Sequence, residues 1–113
     1  MSREIITRQL SFAELTIEIE RVGEDILILI RGGDKPHIGS VVLAIPRKSL
    51  SGENFSCTSS VLNVTGHKDE IICRAVAESY CKKFRAVTVC TGGFHVDNLS
   101  VAQIQEVVDA CKI

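Results

Sequence analysis

The sequence predicts an α+β fold: one domain, with five strands in a mostly antiparallel sheet and two helices packed on one face. Three observations predict it. The first half of the chain carries strand-like patterns broken by turn residues. The second half switches to helical periodicity. The resulting order, β-β-β-β-α-β-α, puts strands early and helices late, which distinguishes α+β from an alternating α/β arrangement. The 113 residues leave room for one domain and no second. Folding at this size removes roughly two thirds of the unfolded chain's surface from water, enough for a real core.

The elements follow in order. Leu15 to Val22 alternates, with Leu15, Ile17 and Ile19 against Thr16, Glu18 and Glu20; period two with one wet face is a half-buried strand. Gly23-Glu24 breaks it. Asp25 to Arg31 holds five aliphatics in succession, the pattern of a strand buried on both faces. The short break makes the two a hairpin. Gly32-Gly33-Asp34-Lys35-Pro36 is a dense cluster of chain-breakers. A third strand runs from His37 or Ile38 to Ile45, and Pro46 is expected to stop it. Lys48 to Ser56 is a polar surface loop, and Cys57 to Val64 a fourth strand. From Lys68 to Phe84 the apolar residues Ile72, Ala75, Val76, Tyr80 and Phe84 fall on one helical stripe. Asp69 and Glu70 in its first turn and Lys82 and Lys83 in its last suit the helix dipole. Ala86 to Thr91 is the fifth strand, ended by Gly92-Gly93. Ser100 and Gln103 form a capping box for a closing helix that carries Ile104, Val107, Val108 and Cys111 on one side.

Composition narrows the function. Hydrophobic residues make up 45% of the chain and charged residues 24%, which is ordinary for a globular protein and argues against a disordered linker. Aromatic residues are 4%, with four Phe, one Tyr and no Trp. The core is therefore aliphatic, and a base-stacking nucleic-acid platform is disfavoured. A net charge of -1, with no Lys/Arg cluster, also argues against non-specific nucleic-acid binding. The strongly apolar runs, Ile26 to Ile30 and Val41 to Ile45, fall far short of the roughly 20 residues that span a bilayer. With no apolar signal segment at the N-terminus, a cytoplasmic location is the expected default. Five cysteines, an odd number, show no C-x-x-C spacing. They fit neither a disulfide framework nor a zinc ribbon. Cys73, Cys90 and Cys111 read as small buried hydrophobes.

The unusual residues collect around three histidines, His37, His67 and His95. Six of the eight glycines lie within five residues of one of them. Each histidine also has a nearby aspartate: Asp34, Asp69 and Asp97. Glycine lets the backbone turn sharply and lets a ligand approach main-chain N–H groups. Histidine offers a metal ligand or a proton carrier near neutral pH. A neighbouring carboxylate orients the ring or binds a metal itself. His67 precedes a helix whose first N–H groups favour an anion, and Asn98 adds an amide that can read polar ligand edges. Against this, turns contain Gly and Asp for their own reasons, and spacings of 30 and 28 residues between the histidines match no zinc motif. Arg47 could meet a phosphate or stand as a surface arginine. Phe94 could cover a ligand or belong to the core. Cys57-Thr58-Ser59-Ser60 lacks the glycine elbow of a serine hydrolase.

Read together, the segments Gly32-Gly33-Asp34-Lys35-Pro36-His37-Ile38-Gly39-Ser40-Val41, Ala44-Ile45-Pro46-Arg47, Gly66-His67-Lys68-Asp69-Glu70 and Gly93-Phe94-His95-Val96-Asp97-Asn98 resemble the LpdD-like prenylated-flavin chaperone family. These are small D subunits linked to gallate and related hydroxyarylic acid decarboxylases. The resemblance covers roughly Leu29 to Val108. It rests on the combination of Gly-Gly-x-x-Pro-His-Ile-Gly with Gly-His-Lys and His-x-Asp-Asn, each piece being weak alone. It implies a cofactor-binding accessory protein that holds reduced prenylated FMN, or plain FMN, and supports a UbiD-type decarboxylase. It also implies that the histidine loops form the site. The cofactor-binding residues would be Gly33, Lys35, His37, Gly39, Arg47, Gly66, His67, Lys68, Phe94, His95 and Asn98. A divalent transition metal would take His37, His67, His95 and Asp97.

Two classes of function remain open at this point. One is the binding module, doing no net chemistry. The other is a small enzyme using a metal or a histidine base at the same loops. A homodimer is expected in either case, because a lone domain this small offers only a shallow cleft.

Overall fold

The computed structural model describes residues 3–52, 54–64 and 67–112, with the side chains of His67 and Lys68 excepted. The elements are β1 (Arg3–Gln9), β2 (Glu14–Val22), β3 (Asp25–Gly33), β4 (Ser40–Lys48), β5 (Phe55–Asn63), α1 (His67–Phe84), β6 (Thr88–His95) and α2 (Val101–Ala110). One sheet holds all six strands in the order β1-β2-β3-β6-β4-β5. The fold is α+β, but the expected five-stranded, mostly antiparallel sheet is corrected to a six-stranded mixed one. β6 enters between β3 and β4, parallel to β3 and antiparallel to β4.

The extra strand is β1, which pairs along its whole length with β2. It is an edge strand with almost every residue exposed. No alternation of buried and wet positions marks it in the sequence, because only a covered strand needs that alternation. Two further boundaries move. β4 continues through Pro46 to Lys48, paired with β5. Its pairing with β6 ends at Ala44, so Pro46 has a free side, where a strand tolerates a missing N–H. β6 runs through Gly92 and Gly93 to His95 instead of stopping at them. There Gly92 takes φ +123, a conformation open to glycine and little else.

Both helices lie on one face. Ile17, Ile28, Ile30 and Val42 from the sheet pack with Ile72, Val76 and Cys73 of α1 and Val107 of α2, all buried. The Tyr80 hydroxyl donates to the Cys111 carbonyl, 3.1 Å, and ties the end of α2 to α1. α2 opens with the expected capping box: the Gln103 N–H donates to Ser100 Oγ at 3.1 Å, and the Ser100 N–H to Gln103 Oε1 at 2.9 Å. Each fully buried aliphatic contributes roughly 1.5–3 kcal/mol. The expectation for β3 is corrected in one respect. Ile26, Ile28 and Ile30 are buried against the helices, but Leu27 and Leu29 point to the other face, and Leu27 is 37% exposed.

Candidate functional site

β3 and β6 are the parallel pair at the centre of the sheet, and both end at the same place. Gly33 lies beside His95 in their register. Open sheets bind ligands outside the carboxyl ends of parallel strands, where the strand order changes direction. The loop from β3 to β4 crosses this end. It is pinned by the Asp34 N–H to the His95 carbonyl at 2.7 Å and by the Gly39 N–H to the Gly92 carbonyl at 2.9 Å. The first turn of α1 arrives at the same place.

His37 is the centre of the arrangement. Its Nδ1 donates to the Lys35 carbonyl at 2.9 Å and its Nε2 to Asp69 Oδ2 at 2.7 Å. A carbonyl and an ionised carboxylate can only accept, so this geometry favours protons on both ring nitrogens, the imidazolium form. The Lys35 carbonyl is the main reason its pKa is held above the ordinary imidazole value. Burial opposes the rise, and the Asp69 hydrogen bond and charge add to it. Asp69 is buried and spends its second oxygen on the Phe94 N–H at 3.0 Å. One carboxylate thus ties α1, β6 and the β3–β4 loop together. Two glycines make room: a Cβ on Gly39 would meet Asp69 Oδ2 at 2.0 Å, and one on Gly93 would meet His37 Nε2 at 2.7 Å.

His95 lies edge-on to His37, with ring centroids 6.2 Å apart. Its Nε2 contacts Asp97 Oδ1 at 3.0 Å, the pairing the sequence suggested. The His37 and His95 side chains are 35% and 48% exposed. Lys35 and Asn98 are exposed beside them. Asn98 has φ +57, so its place before α2 also answers a turn's need for a residue that tolerates the left-handed region. Exposed Ile38 and Val64 adjoin this polar rim. Ile38 follows His37, and the Val64 N–H donates to the Gly39 carbonyl at 2.9 Å.

The sequence-predicted residues divide accordingly. Lys35, His37, Gly39, His95, Asp97, Asn98 and the end of β3 at Gly33 come together. The α1 backbone at His67 and Lys68 reaches the same end, while Gly66 lies outside the described residues. Phe94 is 2% exposed and packs edge-on against Phe12 at 5.9 Å, so its ring is core. Arg47 lies seven residues along β4 from Ser40, about 24 Å at a rise of about 3.4 Å per residue. It is occupied with Thr58 Oγ1 and the Lys48 carbonyl. Among the described residues no group of three His, Cys, Asp or Glu side chains is placed to hold a metal ion. The His37 nitrogens are spent on Lys35 and Asp69. Asp69 is the residue that sequence reasoning left out of the site. Its signal was its place beside His67, but its partner is His37, 32 positions earlier.

The buried thiols offer no rival chemistry. Cys73, Cys81, Cys90 and Cys111 are buried and unpaired. Burial pushes Cys81 up to about 11 and Cys111 up to about 12, and raises Cys90 as well. Such groups are poor nucleophiles at neutral pH.

Residues 10–113 match the prenylated flavin chaperone LpdD-like domain. The chain belongs to that family. Among curated proteins it is similar to Protein LpdD of Lactiplantibacillus plantarum, 30% identical over 88 residues, covering 76% of this chain and 60% of that protein. The chain therefore spans about 60% of the length of the curated relative it matches. Among solved structures it is similar to a chain of a chaperone complex for yeast 20S proteasome assembly, at 13% identity and TM-score 0.57, over 96% of this chain and 95% of that one. At that identity the likeness is one of fold alone. The family takes its name from a prenylated flavin chaperone. Among the chain's described residues no helix is long and apolar enough to cross a membrane.

Proposed function

We propose that this LpdD-like protein binds reduced prenylated FMN at the His37–His95 end of the sheet and supports its delivery to a UbiD-type decarboxylase, working as a pair of identical chains. The observation that carries the reading is the convergence of two histidine loops, at the carboxyl ends of the parallel strands, in a chain of this family. The residues suit the ligand's two halves. The Lys35 ammonium and the N–H groups at the start of α1 favour a phosphate, and His37 holds the β3–β4 loop beside them. Ile38 and Val64 offer apolar surface to the ring and its prenyl extension. His95 and Asn98 supply polar contacts at the rim. With Phe94 in the core, the described part of this end offers a flat ligand imidazoles and aliphatic side chains rather than an exposed aromatic ring. The flavin brings the covalent chemistry of the decarboxylase, and this chain's residues hold it, charge-match it and release it.

The alternative, a small enzyme with a histidine base, finds its support in the His95–Asp97 pair. His37 is unsuited to that role, because both of its ring nitrogens are already protonated and engaged. Anaerobic mixing of the purified protein with reduced prenylated FMN separates the two readings. Co-elution and a changed flavin spectrum, both lost in His37→Ala, support the chaperone. An unchanged spectrum with no co-elution counts against it.

A further inference from the structure

On the helical layer the chain leaves a broad, open groove of about 690 Å³ between α1 and α2. Its floor is made of short side chains, Ala75 and Ser79 of α1 and Val108 of α2. Its walls carry Lys82, Lys83 and Lys112. Among the described residues no carboxylate pairs with Lys82 or Lys83. Lys112 meets the exposed Asp109 at 3.3 Å, a pairing worth little in water. Glu78 also lines the groove, but it accepts a hydrogen bond from Ser59 Oγ at 2.6 Å and so leans toward β5. What remains is a shallow valley with short side chains below and positive charge beside it.

From this we infer that the groove seats an acidic amphipathic helix of the UbiD-type decarboxylase, docking the recipient beside the flavin end. The inference rests on the delivery role proposed above and goes beyond it by naming the docking surface and the chemistry that fits it. Shape selects a helix. Two neighbouring helices present ridges with a valley between them, and the ridge of a third helix fills such a valley. An extended segment would find no main-chain partners here, because the N–H and C=O groups lining the groove are bonded within their own helices. Charge selects its sign. Three ammonium groups, opposed by an engaged Glu78 and an exposed Asp109, favour carboxylates spaced one turn apart and reject a basic helix. Position serves delivery. Ala75 to Lys83 spans about 12 Å, a little over two turns, and Ala75 lies about 9 Å along α1 from Asp69. A recipient seated there is held next to the end of the sheet where Asp69 meets His37.

Titrating the purified, flavin-free decarboxylase of the same organism into the full chain, followed by calorimetry, tests this. The native chain should bind saturably, and more weakly as salt rises. Lys82→Glu/Lys83→Glu should bind at least about tenfold more weakly, the loss of one or more charge contacts. Ser79→Trp, which fills the floor, and Ala75→Gln, a gentler obstruction, should weaken binding too. Lys48→Glu, a charge reversal at the end of β4 and outside the groove, should bind like the native chain. Circular dichroism checks that each variant is folded. Weakening in the lysine variant with both floor variants unaffected would mean diffuse attraction and overturn the seated helix. Equal binding by all variants would overturn this groove, and no binding by the native chain would overturn the docking outright. Flavin affinity, titrated separately, should not change in any variant. A native chain that binds the decarboxylase but no flavin would overturn the reading above and leave this surface standing.

Discussion

At the end of the sheet where β3 and β6 finish, glycines stand where any side chain would strike a neighbour. An added Cβ would meet the His95 carbonyl oxygen at 2.1 Å from Gly33, Asp69 at 2.0 Å from Gly39 and the Ile30 carbonyl oxygen at 1.8 Å from Gly92. At the opposite end Gly23 and Gly52 also take positive φ, +62 and +76, but an added Cβ would meet nothing within 4 Å. One end uses glycine for close approach, the other only to turn the chain. Close approach brings a protonated histidine, a buried carboxylate and a second histidine together. The difference marks where the fold has been shaped around specific side chains and where it has merely been connected.

Substitutions sharpen that comparison, and the largest effect belongs to Gly92→Ala. It combines a forbidden φ with a backbone collision across the parallel pair, and should cost about 3–4 kcal/mol in denaturant unfolding. Asp69→Ala comes next. It strands the Phe94 N–H and removes the partner of His37, so a loss of about 2–3 kcal/mol is expected. A loss under about 0.5 kcal/mol, the usual range of a surface substitution, would mean that Asp69 is not the tie described here. Gly23→Ala should cost about 1 kcal/mol at most, from φ alone. If Gly23→Ala proved as damaging as Gly92→Ala, the contrast between the two ends would collapse.

The smallest effect concerns pH. Folding raises the pKa of His37 above its ordinary value of about 6.5. The stabilisation is therefore complete below that value and fades as pH rises through the folded pKa. The gap in unfolding midpoint between the native protein and His37→Gln should narrow as the pH rises above about 6.5. A gap that widens over that range would show that neutral His37, not the imidazolium, is the favoured form.

Much of this end was legible in the sequence, and what was missed has a common cause. The β2–β3 hairpin, the α1 stripe and the Ser100 capping box are local patterns, so residue order was enough to find them. The His95–Asp97 contact is local as well. The His37–Asp69 bond spans 32 positions, and proximity in sequence assigned Asp69 to His67 instead. β1 was missed because an exposed edge strand has no buried face to pattern. β6 was cut short because Gly92 and Gly93 read as a break, when their bare backbone is what lets β3 and His37 approach. Phe94 sits among site residues in sequence, but its ring turns into the core while its N–H binds Asp69.

The central claim is that the histidine end of the sheet is a flavin site. Anaerobic titration of reduced prenylated FMN into the native protein, His37→Ala and Gly23→Ala tests it most directly. Saturable binding is expected for the native protein and Gly23→Ala, and at least about a tenfold loss of affinity, about 1.4 kcal/mol, for His37→Ala, whose ring ties the β3–β4 loop to Asp69 and so holds the site together. Equal binding by all three, or none by any, would contradict it.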